Sequence, residues 1–314
     1  MVCTSGGKNT IFLNMELSYF RFANDAMLWE LQWNDPLILF LSGISETLAC
    51  KNTKIRFIPI KKNCIFAPHK RTTCFTMKTS AMIFAAGLGT RLYPLTKDRP
   101  KALVEVNGTT LLETVIQRIT AAGIHNIVVN IHHFSELMKQ FIASHSFDAD
   151  IRISDETDLL LDTAGGLKFA EPLFQDSDHI LLHNVDILSN INLNQLIDYH
   201  LQSNALATLA VRERTTSRYL LFERDTMRLC GWENVKSGEK RVELSMQHEY
   251  PLGFSGIHVV RRDILDYIPA GEKLSMTPLY IDLAAHHLIQ GYLHQQDDWM
   301  DVGKYEDVVK LMSK

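Results

Sequence analysis

Residues 81–101 read AMIFAAGLGTRLYPLTKDRPK, and the change of character inside this stretch decides the fold. Residues 81–86 are a short apolar run without charge, the composition of a strand buried on both faces. Gly87 and Gly89 follow at once, and glycines there let the backbone turn sharply and carry its amides close to a bound anion. A buried strand that ends in such a loop belongs to an open α/β sheet, where ligands collect beyond the carboxyl ends of the strands. Leu92 stands where a dinucleotide fingerprint has its third small residue, and no G-x4-G-K-[ST] string is present, so neither familiar phosphate loop applies. The loop instead carries two cations, Arg91 and Lys101, and is pinned by Pro94 and Pro100. An arginine forks over two oxygens while a lysine supplies a point charge, a donor set that suits a triphosphate.

Outward from this stretch the sequence alternates between two periods. Leu111, Leu112, Val115, Ile116 and Ile119 recur at helical spacing, which predicts a helix over 110–122 that Gly123 ends. Strands are expected over 127–131, 151–154 and 180–182. A helix capped by Ser135 runs to His145, and helical spacing recurs over 165–174. Strands separated by helices of this length need crossover connections, so the sheet is expected to be mostly parallel and doubly wound, with helices on both faces. After a helix over 193–203 the rhythm changes. Strands over 205–212, 219–223, 228–232 and 254–260 follow with few helices between them and read as a smaller antiparallel addition. Helices over 278–290 and 304–312 bracket a short strand over 292–295.

Composition limits the function. The formal charge is −4, with 32 basic against 36 acidic residues, so no basic excess draws the chain onto a nucleic-acid backbone. No apolar run approaches the roughly 18 residues of a membrane span. Charge is unevenly spread. Residues 1–76 hold nine basic against five acidic side chains and residues 77–314 hold 23 against 31, and four of the five cysteines (Cys3, Cys50, Cys64, Cys74) also lie in the first segment. That segment shows no sustained helical or alternating pattern, no secretory-signal layout and no metal-type cysteine spacing. It is expected to be an extension, non-native or disordered, upstream of a start at Met77, with the functional domain spanning 77–314.

Taken whole, the string G-x-G-T-R-L-x-P-L-T-x-x-x-P-K from Gly87 to Lys101 resembles the signature of the sugar-1-phosphate nucleotidyltransferases, or NDP-sugar pyrophosphorylases. Other segments agree in order along 77–314. Asp162-Thr163-Ala164-Gly165-Gly166 resembles the base-contacting T-x-G-G turn, and His183-Asn184-Val185-Asp186 the N-G-D strand end. Phe254-Ser255-Gly256 resembles the sugar-pocket strand, and Trp299-Met300-Asp301-Val302-Gly303 the terminal D-x-G. The absence of a β-helix tail is similar to the compact uridylyl- and guanylyltransferases. The resemblance implies a Rossmann-like core, a cytoplasmic location, and substrates that are an NTP and a sugar 1-phosphate, without nucleic-acid or membrane partners. It implies nucleotide contacts from Ala86, Gly87, Leu88, Gly89, Thr90, Thr163, Gly165 and Asn184, sugar contacts from Phe254, Ser255 and Gly256, and catalytic roles for Arg91, Lys101 and Asp186. Asp186 and Asp301 would hold Mg²⁺. Val185 replaces the family's glycine, and its branched side chain is expected to narrow the nucleotide site.

The residues also admit plainer roles. Asp186 could begin a turn, Asp301 could favour a helix N-terminus, Arg91 and Lys101 could be solvated surface charges, and Thr163 could cap a helix. Against that, Asp186 directly follows an apolar strand and both cations share one proline-pinned loop. The adjacent pairs His132-His133 and His286-His287 point apart on either secondary structure and are read as structural, and Cys230 as a core thiol. A module that binds a nucleotide sugar without turnover is the alternative function, but it would not need two cations and two aspartates together.

Overall fold

The computed structural model describes residues 78–312 together with short strands among the first 54 residues. The chain divides into two compact units, Met1–Cys74 and Phe75–Lys314. The first contains antiparallel strands, the longest set being Phe20–Ala23, Ala26–Leu31 and Ile38–Leu41. The expected extension over 1–76 otherwise lies outside the described residues.

The second unit is an α/β structure built on one ten-stranded sheet. In chain order it comprises β1 (Thr79–Phe84), α1 (Leu111–Ala121), β2 (Asn126–Ile131), α2 (Ser135–Ser144), β3 (Asp150–Asp155), α3 (Asp162–Phe169) and β4 (His179–Asn184). Then come β5 (Ile187–Ser189), α4 (Leu193–Ser203), β6 (Ala207–Arg212), β7 (Arg218–Glu223), β8 (Arg228–Asn234), β9 (Glu239–Val242) and β10 (Glu249–Arg261). The unit closes with α5 (Met276–Ala284), β11 (Ile289–Leu293), β12 (Trp299–Asp301) and α6 (Tyr305–Met312). Strand order across the sheet is β3-β2-β1-β4-β10-β6-β11-β8-β7, with β9 beside β8.

Alternation along β1 shows why it occupies the centre. Ala81 and Ile83 join the core on one face, with Ile127, Val129 and Leu181, while Met82 and Phe84 join the core on the other, with Val128, Ile180 and Leu182. Helices α1, α2, α4 and α6 seal the first face and α3 and α5 the second. The start of α1 is fixed by a capping box in which the Thr110 hydroxyl accepts from the Glu113 amide and Glu113 accepts from the Thr110 amide.

Three expectations are corrected. The sheet is mixed rather than mostly parallel: β3, β2, β1 and β4 run parallel, as do β6 and β11, but β10 is antiparallel to both β4 and β6. The antiparallel strands therefore extend the main sheet, because the 13-residue β10 is long enough to pair with β4 and β6 at one end and β7 at the other. The helix expected over 278–290 stops at Ala284, and the strand expected over 292–295 begins at Ile289, whose side chain is needed in the core. No helix among the described residues is long and apolar enough to cross a membrane.

Candidate active site

A cleft of about 270 Å³ opens beyond the carboxyl ends of β1, β2 and β4. Ala86, Gly87, Lys101, Thr163, Asn184 and Asp186, all expected from the sequence, line it together with Phe84, Asn130, Glu156, Leu160, Asp162 and Lys273. Lys101 comes from the short turn Lys101–Leu103, which Pro100 introduces, and its Nζ donates to Asp186 Oδ2 at 3.0 Å. Asp186 is only 7% exposed. An ion pair of this kind strengthens as water is excluded, and it fixes one carboxylate oxygen while the other remains available.

Asp301 reaches the same place through backbone pairing. Strands β5 and β12 run antiparallel with Ile187 opposite Asp301, and the Val302 amide donates to the Asp186 carbonyl at 2.9 Å. Gly303 shows how close the charges come. A methyl group there would stand 2.8 Å from Asp301 Oδ1, 3.0 Å from Asp186 Oδ2 and 3.0 Å from Arg91 Nη2. Only glycine leaves that spot open, and its amide donates to Asp301 Oδ1 at 2.8 Å. Two carboxylates brought to one point fit a hard divalent cation, which takes one or two protein carboxylates and fills its remaining positions with phosphate oxygens or water.

The loop between β1 and Lys101 is braced from within. The Thr96 hydroxyl donates to the Gly89 carbonyl at 2.9 Å, as does the Leu92 amide. Its root is held by Asn130, whose Oδ1 accepts from the Ala85 and Ala86 amides at 2.7 and 3.3 Å. Asn130 in turn donates to Glu156 Oε1 at 2.8 Å. Burial raises the pKa of Glu156, opposed by the bonds from Asn130 and the Leu161 amide. Sequence reasoning passed over both residues, although Asn130 shows the sign that exposed Asp186, a polar side chain near the end of an apolar strand; Glu156 follows the polar strand DIRISD and carries no such sign. Lys273 had no such sign, because only the approach of the loop before α5 brings it to the cleft.

Other expected residues stand elsewhere. Leu88, Gly89 and Thr90 lie on the loop beyond the cleft lining, and Leu88 is 47% exposed, whereas Arg91 reaches with Nη2 to the spot beside Gly303 where Asp186 and Asp301 meet. The Thr163 hydroxyl accepts from the Met276 amide at 2.9 Å, so it ties α3 to the start of α5. Gly165 faces the Glu272 carbonyl, where a methyl group would stand at 2.3 Å, and serves close packing instead of lining the cleft. Ser255 is fully buried with its hydroxyl on His294 Nε2 at 2.8 Å, and Phe254 packs edge-on against His258, so neither side chain opens onto the cleft. Gly256 adopts φ 75° and leaves room for Ile187 and Asn184, whose nearest atoms would lie 2.7 and 3.0 Å from a methyl group. Val185 does not narrow the cleft. Its neighbours Asn184 and Asp186 line the cleft while Val185, fully buried, turns into the core on the α1 face. His183 is pushed down to about 4 by burial and holds the Asn184 carbonyl. Burial likewise raises the pKa of the Cys230 thiol, the mark of a core cysteine.

Known proteins resemble this chain over the second unit. Residues 80–314 match the family model described as nucleotidyl transferase. The chain is 32% identical over 231 residues to N-acetylmuramate alpha-1-phosphate uridylyltransferase of Caulobacter vibrioides, a match spanning 71% of this chain and 91% of the relative. It is 27% identical to mannose-1-phosphate guanyltransferase of Yarrowia lipolytica, where the match spans 72% of this chain and 61% of the longer relative. Among solved structures, HddC from Yersinia pseudotuberculosis complexed with GMP-PN superposes with a TM-score of 0.59 at 18% identity, covering 76% of this chain and 99% of that one, a likeness of fold. The chain belongs to the nucleotidyl transferase family.

Proposed function

We propose that this protein joins an NTP to a sugar 1-phosphate, releasing pyrophosphate and an NDP-sugar, with UTP or GTP as donor. The observation that carries this reading is the Lys101–Asp186 ion pair at 3.0 Å in a cleft whose rim is a glycine loop. An oxygen of the sugar phosphate attacks the α-phosphorus of the NTP. The bond from that phosphorus to the bridging oxygen of the β-phosphate breaks, and pyrophosphate leaves with the electron pair. No general base is required, because a phosphate monoester with a second pKa of about 6 is already largely dianionic at pH 7. Catalysis then reduces to alignment and charge neutralisation. Lys101 offsets repulsion between the two anionic reactants, Arg91 meets the departing phosphates, and the backbone at Ala86 and Gly87 approaches the nucleotide. Asp186 and Asp301 would hold Mg²⁺, which when bound supplies positive charge to the phosphates. A regulatory module that only binds nucleotide sugar has no observation in its favour.

Pyrophosphate release with UTP, GTP, CTP, dTTP and ATP, each against a panel of sugar 1-phosphates, tests the reading. Turnover with one NTP and one sugar phosphate is expected, and silence across the panel refutes it. We also propose that the transferase is contained in residues 77–314, a reading supported by the compact unit Phe75–Lys314. A chain begun at Met77 is expected to stay soluble and keep the full rate, and insolubility on truncation would count against it.

A further inference from the structure

Arg214 stands in the loop between β6 and β7, and its side chain is held on three sides. Beneath it lies Gly253, where a methyl group would stand 2.7 Å from both Cγ and Nε of the arginine, so only glycine admits the side chain there. Above it lies the indole of Trp299, with the guanidinium carbon 4.8 Å from the ring centroid. The indole is itself fixed, its Nε1 donating to the Ser255 carbonyl at 2.9 Å. At the tip, Arg214 Nη2 donates to the Phe254 carbonyl at 3.0 Å. Nε is buried and has no hydrogen-bond partner. Burial draws the guanidinium below its ordinary pKa, and the charge of Asp301 is the foremost effect opposing it.

A guanidinium fixed in this way has given up its rotamer freedom before a ligand arrives, and its free N–H groups lie in one plane suited to an oxyanion. The neighbouring Arg212 lies farther from the same indole, at 5.7 Å, and its Nη1 donates to the Asp297 carbonyl at 3.3 Å.

We propose that Arg214 binds the phosphate of the incoming sugar 1-phosphate, as a third cation beside Lys101 and Arg91. The inference rests on the transferase reading above and adds the residue that holds the acceptor. Two placements favour the acceptor phosphate over the nucleotide. Arg214 lies against β10 at Gly253 and Phe254 and is absent from the cleft lining that carries Asn130, Glu156 and Lys101. It also feels Asp301, where the two carboxylates converge on Gly303.

The test compares full-length wild type, Arg214→Ala and Arg214→Lys in steady-state pyrophosphate release. The acceptors are N-acetylglucosamine 1-phosphate and N-acetylmuramate 1-phosphate, which differ by a carboxylate-bearing substituent, together with whichever sugar 1-phosphate the wild type uses best. Losing a charge-assisted contact should raise KM for every accepted sugar phosphate roughly 10- to 100-fold in Arg214→Ala. KM for the NTP and the Mg²⁺ concentration for half-maximal rate should stay within about twofold. Arg214→Lys should recover part of the loss, since it restores charge without the fork. Unchanged sugar-phosphate KM in an active Arg214→Ala overturns the inference, as does a shift confined to Mg²⁺ dependence, which would make Arg214 only a support for Asp301. A loss seen solely with the carboxylate-bearing acceptor overturns the assignment to the phosphate. If Arg214→Ala does not fold, equal KM values for Arg214→Lys and wild type overturn it instead. A wild type silent with all sugar phosphates sinks the transferase reading and this inference with it, whereas active wild type with unaltered variants sinks this one alone.

Discussion

The two halves of the large sheet build their shares of the site in different ways. In the parallel half, β3-β2-β1-β4, the functional groups sit on the segments that leave the strands: Gly87 and Lys101 after β1, Asn130 at the end of β2, Glu156 after β3, Asp186 after β4. Elsewhere the groups stand on or beside strands that pair across long separations: Arg214 meets Phe254 because β10 lies between β4 and β6, and Trp299 and Asp301 join them because β12 pairs with β5 in a separate two-stranded ladder. The parallel half is organised along the chain and the antiparallel half across it. Substitutions in the first should therefore remove single contacts, and disturbance of the second should move several at once.

The largest effect is expected where the halves join. Asp186 follows β4 of the parallel half and Asp301 stands on β12, paired with β5 outside the large sheet, and each would supply one carboxylate to the metal. Asp186→Asn and Asp301→Asn should each abolish Mg²⁺-dependent turnover while the melting temperature stays near that of wild type. An Asp301→Asn protein at the wild-type rate would place the metal wholly in the parallel half and break the comparison at its centre.

Lys101→Ala comes next. Removing a charge-assisted contact in the transition state typically costs about 2 to 4 kcal/mol, a factor of roughly 30 to 1,000 in rate. Steady-state kinetics should show kcat/KM reduced for both substrates. Arg91→Ala should fall mainly on kcat, with the sugar-phosphate KM scarcely raised, because charge builds on the leaving pyrophosphate as the bond breaks. If Lys101→Ala left both constants unaltered, the glycine loop would not cradle phosphates.

This division also explains what the sequence disclosed. The stretch 81–101 carried strand, turn and both cations in one continuous run, and Asp186 was visible because an apolar strand precedes it. Arg214 was not, since nothing near it in the chain marks a guanidinium that will lie between Gly253 and Trp299. Val185 misled for a local reason: it stands in the tight turn between β4 and β5, which buries its side chain in the core while Asn184 and Asp186 line the cleft. The helix expected over 278–290 overran because no glycine or proline separates α5 from β11. Ser255, expected to contact the sugar, has its hydroxyl on His294.

Acid should separate the halves by a smaller, graded effect. Buried histidines cluster on β4 and the elements beyond it. Burial pushes His258 and His200 down to about 3, and His294 and His183 to about 4. Each is neutral in the folded protein and has an unfolded value near 6.5, so between those values the unfolded chain binds more protons. Stability is then fully present above about pH 6.5 and declines as pH falls toward 4. Melting temperature measured from pH 7.5 to 4.5 should fall steadily below about 6.5, and hydrogen exchange should accelerate first in β10 and β11. A flat profile down to pH 4.5 would show that these histidines are not held neutral.

The smallest effect should come from the buttress of the parallel half. Thr110 caps α1 through its hydroxyl, and the Leu111 amide donates to the Val104 carbonyl just after the turn that carries Lys101. Thr110→Ala removes the cap while leaving every cleft residue in place. Loss of an N-cap side chain costs about 1 kcal/mol, so denaturant titration should show a lower midpoint at an unchanged slope. Because α1 packs against the Lys101–Leu103 turn from behind and does not itself line the cleft, KM for both substrates should stay within about twofold. A rise in the NTP constant alone would mean that the cap also sets the position of Lys101, and the parallel half would then share the distributed organisation of its partner.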